Sequence, residues 1–256
     1  MKGQQTLQER LATREVIVGL LQTHAHPAIT ELAGMCGYDF VLLDAEHGVF
    51  SESDFVLALQ VLASTGTLGM VRLAGHDTHA LGRYMDMGAA AIVVPNVSTA
   101  EEARAMVRAM QYPPTGSRGL GAAAHRGTRY GLDFAAHLSA PRGGVGLFVL
   151  IESSLGVANA ADILDVEGVD GAIIGPADLS ASLGRAGDYA QPAYAQALAR
   201  VESAAAARNK LLGSVPHAGH SLQALQARGY RLLILGADMS LIREAMRAQI
   251  LKARPD

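Results

Sequence analysis

The chain has 256 residues, of which 50% are hydrophobic and 18% charged, and its formal net charge is -3. That length suits one closed α/β barrel of roughly 250 residues, and the apolar content excludes a disordered chain. There is no basic excess to neutralise phosphates, and the few aromatic residues are not interleaved with Arg or Lys, so a nucleic-acid partner is not expected.

The first fifteen residues are polar and charged where a secretory signal needs an apolar core, and no apolar run approaches the roughly 18 residues of a membrane span. The expectation is a cytoplasmic protein. VIVGL from Val16 reads as a first strand, and a helix is predicted over 28–36. It ends at Cys36, the only cysteine, which has no second thiol for a disulfide or zinc cluster and is expected to be a small buried hydrophobe. GYDFVLLD from Gly37 follows, then a helix over 52–62, GMVRL from Gly69, a helix over 80–87, GAAAIVVP from Gly88 and a helix over 100–110. Beyond a Pro- and Gly-rich stretch come GLFVLI from Gly146, a helix over 157–164, GVDGAIIG from Gly168, a helix over 194–208, LLGSV from Leu211, a helix over 221–228, GYRLLILG from Gly229 and a helix over 241–253.

Four of these strands open on a glycine that suits the end of the preceding helix. Strands alternating with helices argue for parallel βαβ units, and eight apolar strands without a polar edge favour closure over an open sheet. The reading is one α/β domain, a (β/α)8 barrel over 1–256.

In such a barrel, chemistry belongs at the carboxyl ends of the strands. Those ends carry Gln22 and His24; Asp44, Glu46 and His47; Arg72; Asn96; Glu152; Asp178; His217 and His220; and Asp238. Glu152 and Asp178 end adjacent strands, and two neighbouring carboxylates with no Cys nearby suit a hard divalent cation, Mg, Mn or Co. The alternative is a pair of solvated loop acids. The turn Gly175-Pro176-Ala177-Asp178 offers the backbone N–H groups of Ala177 and Asp178 to an anionic group. Arg72 suits a substrate carboxylate or a developing oxyanion, or else an ion pair with Asp44. His47 is the imidazole in the acid-rich LLDAEHG and reads as a general base, with a structural hydrogen bond as its plainer role. The other histidines are scattered in loops and read as structural. GAAAHRGTRYG, with His125, Arg126 and Arg129, reads as an acceptor-facing or a solvated loop. Gly119-Leu120-Gly121 follows no strand, so a dinucleotide site is not supported.

At LLDAEHG, Val71-Arg72, RYMDMGAAAIVVPNV, YPPTGSRG, Ile151-Glu152-Ser153 and EGVDGAIIGPADLS the chain resembles the HpcH/HpaI-type metal-dependent pyruvate aldolases, and the likeness spans nearly its whole length. The resemblance implies reversible aldol cleavage of 4-hydroxy-2-oxo acids to pyruvate and an aldehyde through a metal-bound enolate, in the catabolism of aromatic compounds or sugar acids. It implies that Glu152 and Asp178 hold the metal and that His47 is the base. Arg72 would stabilise the enolate, and Ala177 and Asp178 the substrate carboxylate through their backbone, while Asp44 and Glu46 stand behind these groups. It also implies that an Asp at position 86 raises the basicity of the histidine. Asp86 falls near the end of a helix that returns to the opposite face of the barrel, so that contact is expected from a neighbouring subunit.

The resemblance further implies a hexamer, a trimer of dimers, with the helix over 241–253 packing its Leu241, Ala245, Met246 and Ile250 face on a neighbour. One departure stands out: related aldolases carry a substrate-contacting Gln in a VQIE sequence where this chain has Leu150, which changes the contacts around the enolate or the acceptor. Competing functions are an oxaloacetate-type decarboxylase, a citramalyl- or malyl-type thioester lyase, a non-catalytic barrel that binds 2-oxo acids, and a phosphate-binding isomerase. The thioester lyase needs a basic nucleotide groove that the sequence does not show, and the isomerase needs more glycine after the last two strands.

Overall fold

The computed structural model describes residues 6–121 and 124–254. Helix α1 (Leu7–Thr13) precedes β1 (Ile17–Gln22), α2 (Pro27–Met35), β2 (Phe40–Asp44), α3 (Glu52–Thr65), β3 (Leu68–Arg72), α4 (Thr78–Asp86), β4 (Ala91–Val94) and α5 (Ala100–Met110). After a long connection holding α6 (Phe134–Ser139), the chain continues through β5 (Gly146–Ile151), α7 (Ser154–Ala158), α8 (Ala160–Asp165), β6 (Gly171–Ile174), α9 (Pro176–Ser182) and α10 (Pro192–Ala207). It ends with β7 (Leu211–Ser214), α11 (Leu222–Ala227), β8 (Leu232–Ala237) and α12 (Asp238–Ala253). Each strand pairs in parallel with the next, and β8 closes on β1. The expected (β/α)8 barrel is the observed fold.

Two hydrophobic sets build it. One lies between strands and helices and includes Val41, Leu59, Val71, Ile92, Val149, Ile174 and Leu233. The other fills the barrel and includes Phe40, Leu42, Leu68, Met70, Phe148, Leu150, Ile173 and Ile234. The two-residue period of a strand decides which side chain goes where. Phe40, Leu42 and Asp44 form one inward series, Leu68, Met70 and Arg72 a second, and Phe148, Leu150 and Glu152 a third. Apolar layers thereby rise to a charged one at the carboxyl end. Gly19 is needed in this interior, because a Cβ there would overlap the Phe40 ring.

Helix α1 was not among the predicted elements. Its signal was Thr6-Leu7-Gln8-Glu9, and Thr6 and Glu9 form a reciprocal capping box. Leu7 joins the barrel-filling set and closes the amino-terminal mouth. The helix predicted over 157–164 is two short ones, α7 and α8, meeting at Asn159. Cys36 corrects an expectation: it is exposed. The buried face of α2 runs through Thr30 and Ala33, and the next position on that face lies past the helix end, so Cys36 is left as the C-cap.

Helix α12 stands apart from the other long helices. Of its 16 residues only Asp238 is buried. Leu241, Met246, Ile250 and Leu251 are exposed.

Candidate active site at the carboxyl ends of the strands

Asp44 and Arg72 are register partners on β2 and β3, at the top of the inward series. The guanidinium donates from Nε to Asp44 Oδ1 at 2.9 Å and from Nη2 to Oδ2 at 2.6 Å, while Nη1 lies 3.2 Å from Glu46 Oε2. The backbone N–H groups of Glu46 and His47 also donate to Asp44 Oδ1. Burial pushes the Asp44 carboxyl up, yet the bonds and charge of Arg72 and these two N–H groups outweigh it and hold Asp44 below the usual carboxylate range. Burial alone would lower the Arg72 pKa, but Asp44, Glu46 and Glu152 together raise it. The ion pair named as the alternative role of Arg72 is therefore present, and it fixes a guanidinium that faces Glu152 electrostatically.

Glu152 follows β5 directly and is 8% exposed. Its Oε1 accepts the Asn96 N–H at 2.8 Å. Burial, followed by the charges of Asp178 and Glu46, lifts its carboxyl to about 7 against the pull of Asn96 and Arg72. Gly175 makes its placement possible, because a Cβ at 175 would overlap Glu152 Oε2. The chain then turns into α9, where Asp178 is exposed in the first turn. Gly175 brings no capping side chain and Pro176 no N–H, so the N–H groups of Ala177 and Asp178 open the helix without a side-chain cap. Leu150, 4% exposed, belongs to the apolar filling one inward position below Glu152.

The side chain of His47 is 69% exposed, with Nε2 3.9 Å from Glu46 Oε2. It has no tighter polar partner among the described residues. Asp86 closes α4 at the far end of the barrel, where Oδ1 accepts from Arg118 Nη2 at 2.6 Å and lies 3.4 Å from His125 Nε2. Within the chain, Asp44, Glu46, His47, Arg72, Glu152 and Asp178 thus gather at one rim, and Asp86 does not join them.

The rest of the rim is structural. Buried Asp238 accepts from the Thr23 N–H and hydroxyl and from the His24 and Met239 N–H groups, tying the first loop to the start of α12. Gln22 accepts from the Thr30 hydroxyl and donates to the His24 carbonyl. His217 Nδ1 donates to the Val215 carbonyl at 2.7 Å, so Nε2 accepts the Tyr194 hydroxyl at 2.9 Å, and its ring stacks on His220. The GAAAHRGTRYG stretch is tied down in part: Arg126 donates to the Met87 and Leu59 carbonyls, and Arg129 pairs with Asp133. Its residues 122–123 lie outside the described residues.

Comparison with known proteins settles the family. Residues 18–245 match the HpcH/HpaI aldolase/citrate lyase family. The chain belongs to that family. A hydroxypyruvate/pyruvate aldolase of Delftia acidovorans is 37% identical over 94% of this chain and 89% of its own length. A 2-keto-3-deoxy-L-rhamnonate aldolase of Escherichia coli is 34% identical over 93% and 89%. Among solved structures, an HpcH/HpaI aldolase/citrate lyase family protein of Burkholderia cenocepacia superposes with a TM-score of 0.89 at 28% identity, covering 97% of this chain and 98% of that one. The resemblance stated from the sequence motifs and the carbon–carbon lyase class are met at the level of the family.

Proposed function

We propose that this protein is a divalent-metal-dependent aldolase that makes and breaks the carbon–carbon bond between a pyruvate-like 2-oxo acid and an aldehyde. The observation that carries the reading is Glu152: a buried carboxylate lifted to about 7, crowded by Asp178 and Glu46 and held close by Gly175. Such a group calls for a cation. No group of three or more His, Cys, Asp or Glu side chains is placed to enclose a metal among the described residues. Two carboxylates with open positions remaining fit a catalytic ion that shares its shell with substrate.

Glu152 and Asp178 would hold Mg, Mn or Co, which would supply a Lewis acid to polarise the keto group of the substrate. The N–H groups of Ala177 and Asp178 receive the substrate carboxylate. His47 takes a proton from the methyl carbon, and Arg72, fixed by Asp44 and Glu46, stabilises the negative charge that develops on the keto oxygen. The carbon that has lost the proton attacks the aldehyde carbonyl, and the alkoxide so formed takes the proton from His47; in the cleavage direction His47 takes the 4-hydroxyl proton as the carbon–carbon bond breaks and returns it to the methylene carbon. The family resemblance implies that Asp86 of a neighbouring subunit completes the base, and the exposure of His47, 3.9 Å from Glu46 Oε2, leaves its ring accessible to such a partner. This fits a homo-oligomer, a hexamer of three dimers, in which α12 lays its exposed Leu241, Met246 and Ile250 on another copy.

The test is product formation. Pyruvate and a panel of short hydroxylated and acidic aldehydes, incubated with the protein and Mn2+ or Mg2+, are expected to give 4-hydroxy-2-oxo acids by NMR, and chelator is expected to stop it. Metal and pyruvate binding without a new carbon–carbon bond for any aldehyde would overturn the reading.

A further inference from the structure

Five buried side-chain polar atoms lack a hydrogen-bond partner among the described residues, and four sit in one cluster at the amino-terminal end of the barrel: Nε and Nη1 of Arg118 and both ring nitrogens of His125. The Arg118 side chain is 2% exposed, whereas the carboxylate it holds, Asp86, is 41% exposed. The guanidinium lies 4.9 Å from the centre of the Tyr112 ring, and the Tyr112 hydroxyl contacts His137 Nε2 at 3.1 Å. Arg118 is therefore walled in by Tyr112, His125 and His137, and it meets one acid. Burying a guanidinium with two nitrogens unspent costs stability, so this cation is poorly explained as a device for holding the fold. Arg118 and His125 both meet Asp86 at Oδ1, which leaves Oδ2 for a partner outside the chain. Leu120, Tyr130 and Leu132, on the segment that carries Arg118 and His125, are exposed apolar side chains that suit contact with a second copy.

We propose that Arg118 is the positioning residue of Asp86: it pins one carboxylate oxygen, turns the other toward His47 of a neighbouring copy, and offsets part of the carboxylate's charge. This rests on the reading that Asp86 completes the base of a neighbouring subunit. Around Asp86 the charged and titratable groups are Arg118 and His125, with Tyr112 and His137 behind them; around His47 they are Glu46, then Arg72 and Asp44. Asp86 favours the imidazolium, and Arg118 behind it opposes that effect.

The experiment follows the pH dependence of metal-supported exchange of pyruvate methyl protons in the assembled protein. Asp86→Asn is expected to move the rising limb to lower pH. Arg118→Met leaves the carboxylate unopposed, so its limb moves to higher pH by about one unit, with a lower plateau. Arg118→Gln, which keeps an N–H donor, is the uncharged variant to use if Arg118→Met does not fold. Arg118→Lys keeps the charge and is expected to lose rate while its limb stays in place. In the double variant Asp86→Asn with Arg118→Met, loss of the arginine charge still moves the limb up from where Asp86→Asn puts it, but the plateau is expected to be that of Asp86→Asn alone, because there is no carboxylate left to position. If Asp86→Asn changes neither rate nor limb, the intersubunit reading fails. If Asp86→Asn moves the limb but the uncharged Arg118 variants only lower the rate, or lower the plateau by the same factor whether or not Asp86 is present, Arg118 is structural and the proposal is wrong.

Discussion

The two halves of the carboxyl rim carry similar residue types and put them to different use. Around β1, β7 and β8, Asp238, Gln22 and His217 spend their hydrogen-bonding capacity on the chain itself, four donors converging on Asp238 alone. Around β2, β3, β5 and β6, Asp44 and Arg72 neutralise each other, while the buried Glu152 carboxyl is lifted to about 7 with a single hydrogen bond among the described residues, from the Asn96 N–H, and Asp178 and His47 are exposed. An ionisable residue at a barrel rim is therefore weak evidence of chemistry. Unspent capacity in a buried group is stronger evidence.

The sharpest break in the comparison is Glu152→Gln. It keeps the shape, removes the charge, and is expected to reduce metal-dependent proton exchange by at least about 10³-fold, while an unchanged thermal midpoint shows that the fold is intact. Arg72→Ala is next. It strands the fully buried Asp44 carboxylate, so urea titration is expected to show a loss of about 3–5 kcal/mol, with exchange in the surviving folded protein down by about 10²-fold. The opposite half should respond the other way round. Asp238→Ala leaves several part-buried donors unpaired and is expected to cost about 1–2 kcal/mol, a fall of roughly 3–7 °C in thermal midpoint, yet exchange per folded molecule changes by less than about threefold.

The pH dependence follows from Glu152. Its folded-state value of about 7 lies above the ordinary 4.5, so its contribution to stability without metal is fully present below about 4.5 and is lost as pH rises through 7. The shift corresponds to about 3 kcal/mol, reduced by whatever water reaches the site. On the proposed reading a metal held by Glu152 would compete with that proton. Apparent Mn2+ affinity is expected to rise up to about tenfold per pH unit below 7 and to level off above it; calorimetric titrations at several pH values, with Glu152→Gln as the flat control, check this. The smallest effect belongs to Leu150→Gln. It places an amide in the apolar layer below Glu152, and steady-state kinetics are expected to show an altered preference among aldehydes while pyruvate exchange stays within about tenfold.

Much of this was legible in the sequence because strands declare themselves by apolar runs and barrels by alternation. All eight strand segments are strands, and the inward period of two carries Asp44, Arg72 and Glu152 to the same layer. The helix over 100–110 is matched to the residue by α5. What sequence reasoning missed depends on partners distant along the chain. Asp238 reads like Asp178 at the end of a strand, and only Thr23 and His24, more than two hundred residues earlier, show it to be a clasp. Arg118 lies in a Pro- and Gly-rich segment that suggests solvent, and its burial beside Asp86 depends on how α4 ends. Cys36 misled because helix burial follows face rather than residue type. Gly175 could have been found: a glycine between a strand and a Pro-led helix, beside a strand that ends in Glu, signals close approach.

The most direct test of the account follows pyruvate methyl-proton exchange in deuterated water by NMR, with and without Mn2+, in wild type, Glu152→Gln and Asp238→Asn. Metal-dependent exchange is expected in wild type and in Asp238→Asn, and none in Glu152→Gln. Exchange that survives in Glu152→Gln, or a wild type that binds Mn2+ and pyruvate without exchanging a proton, would contradict it.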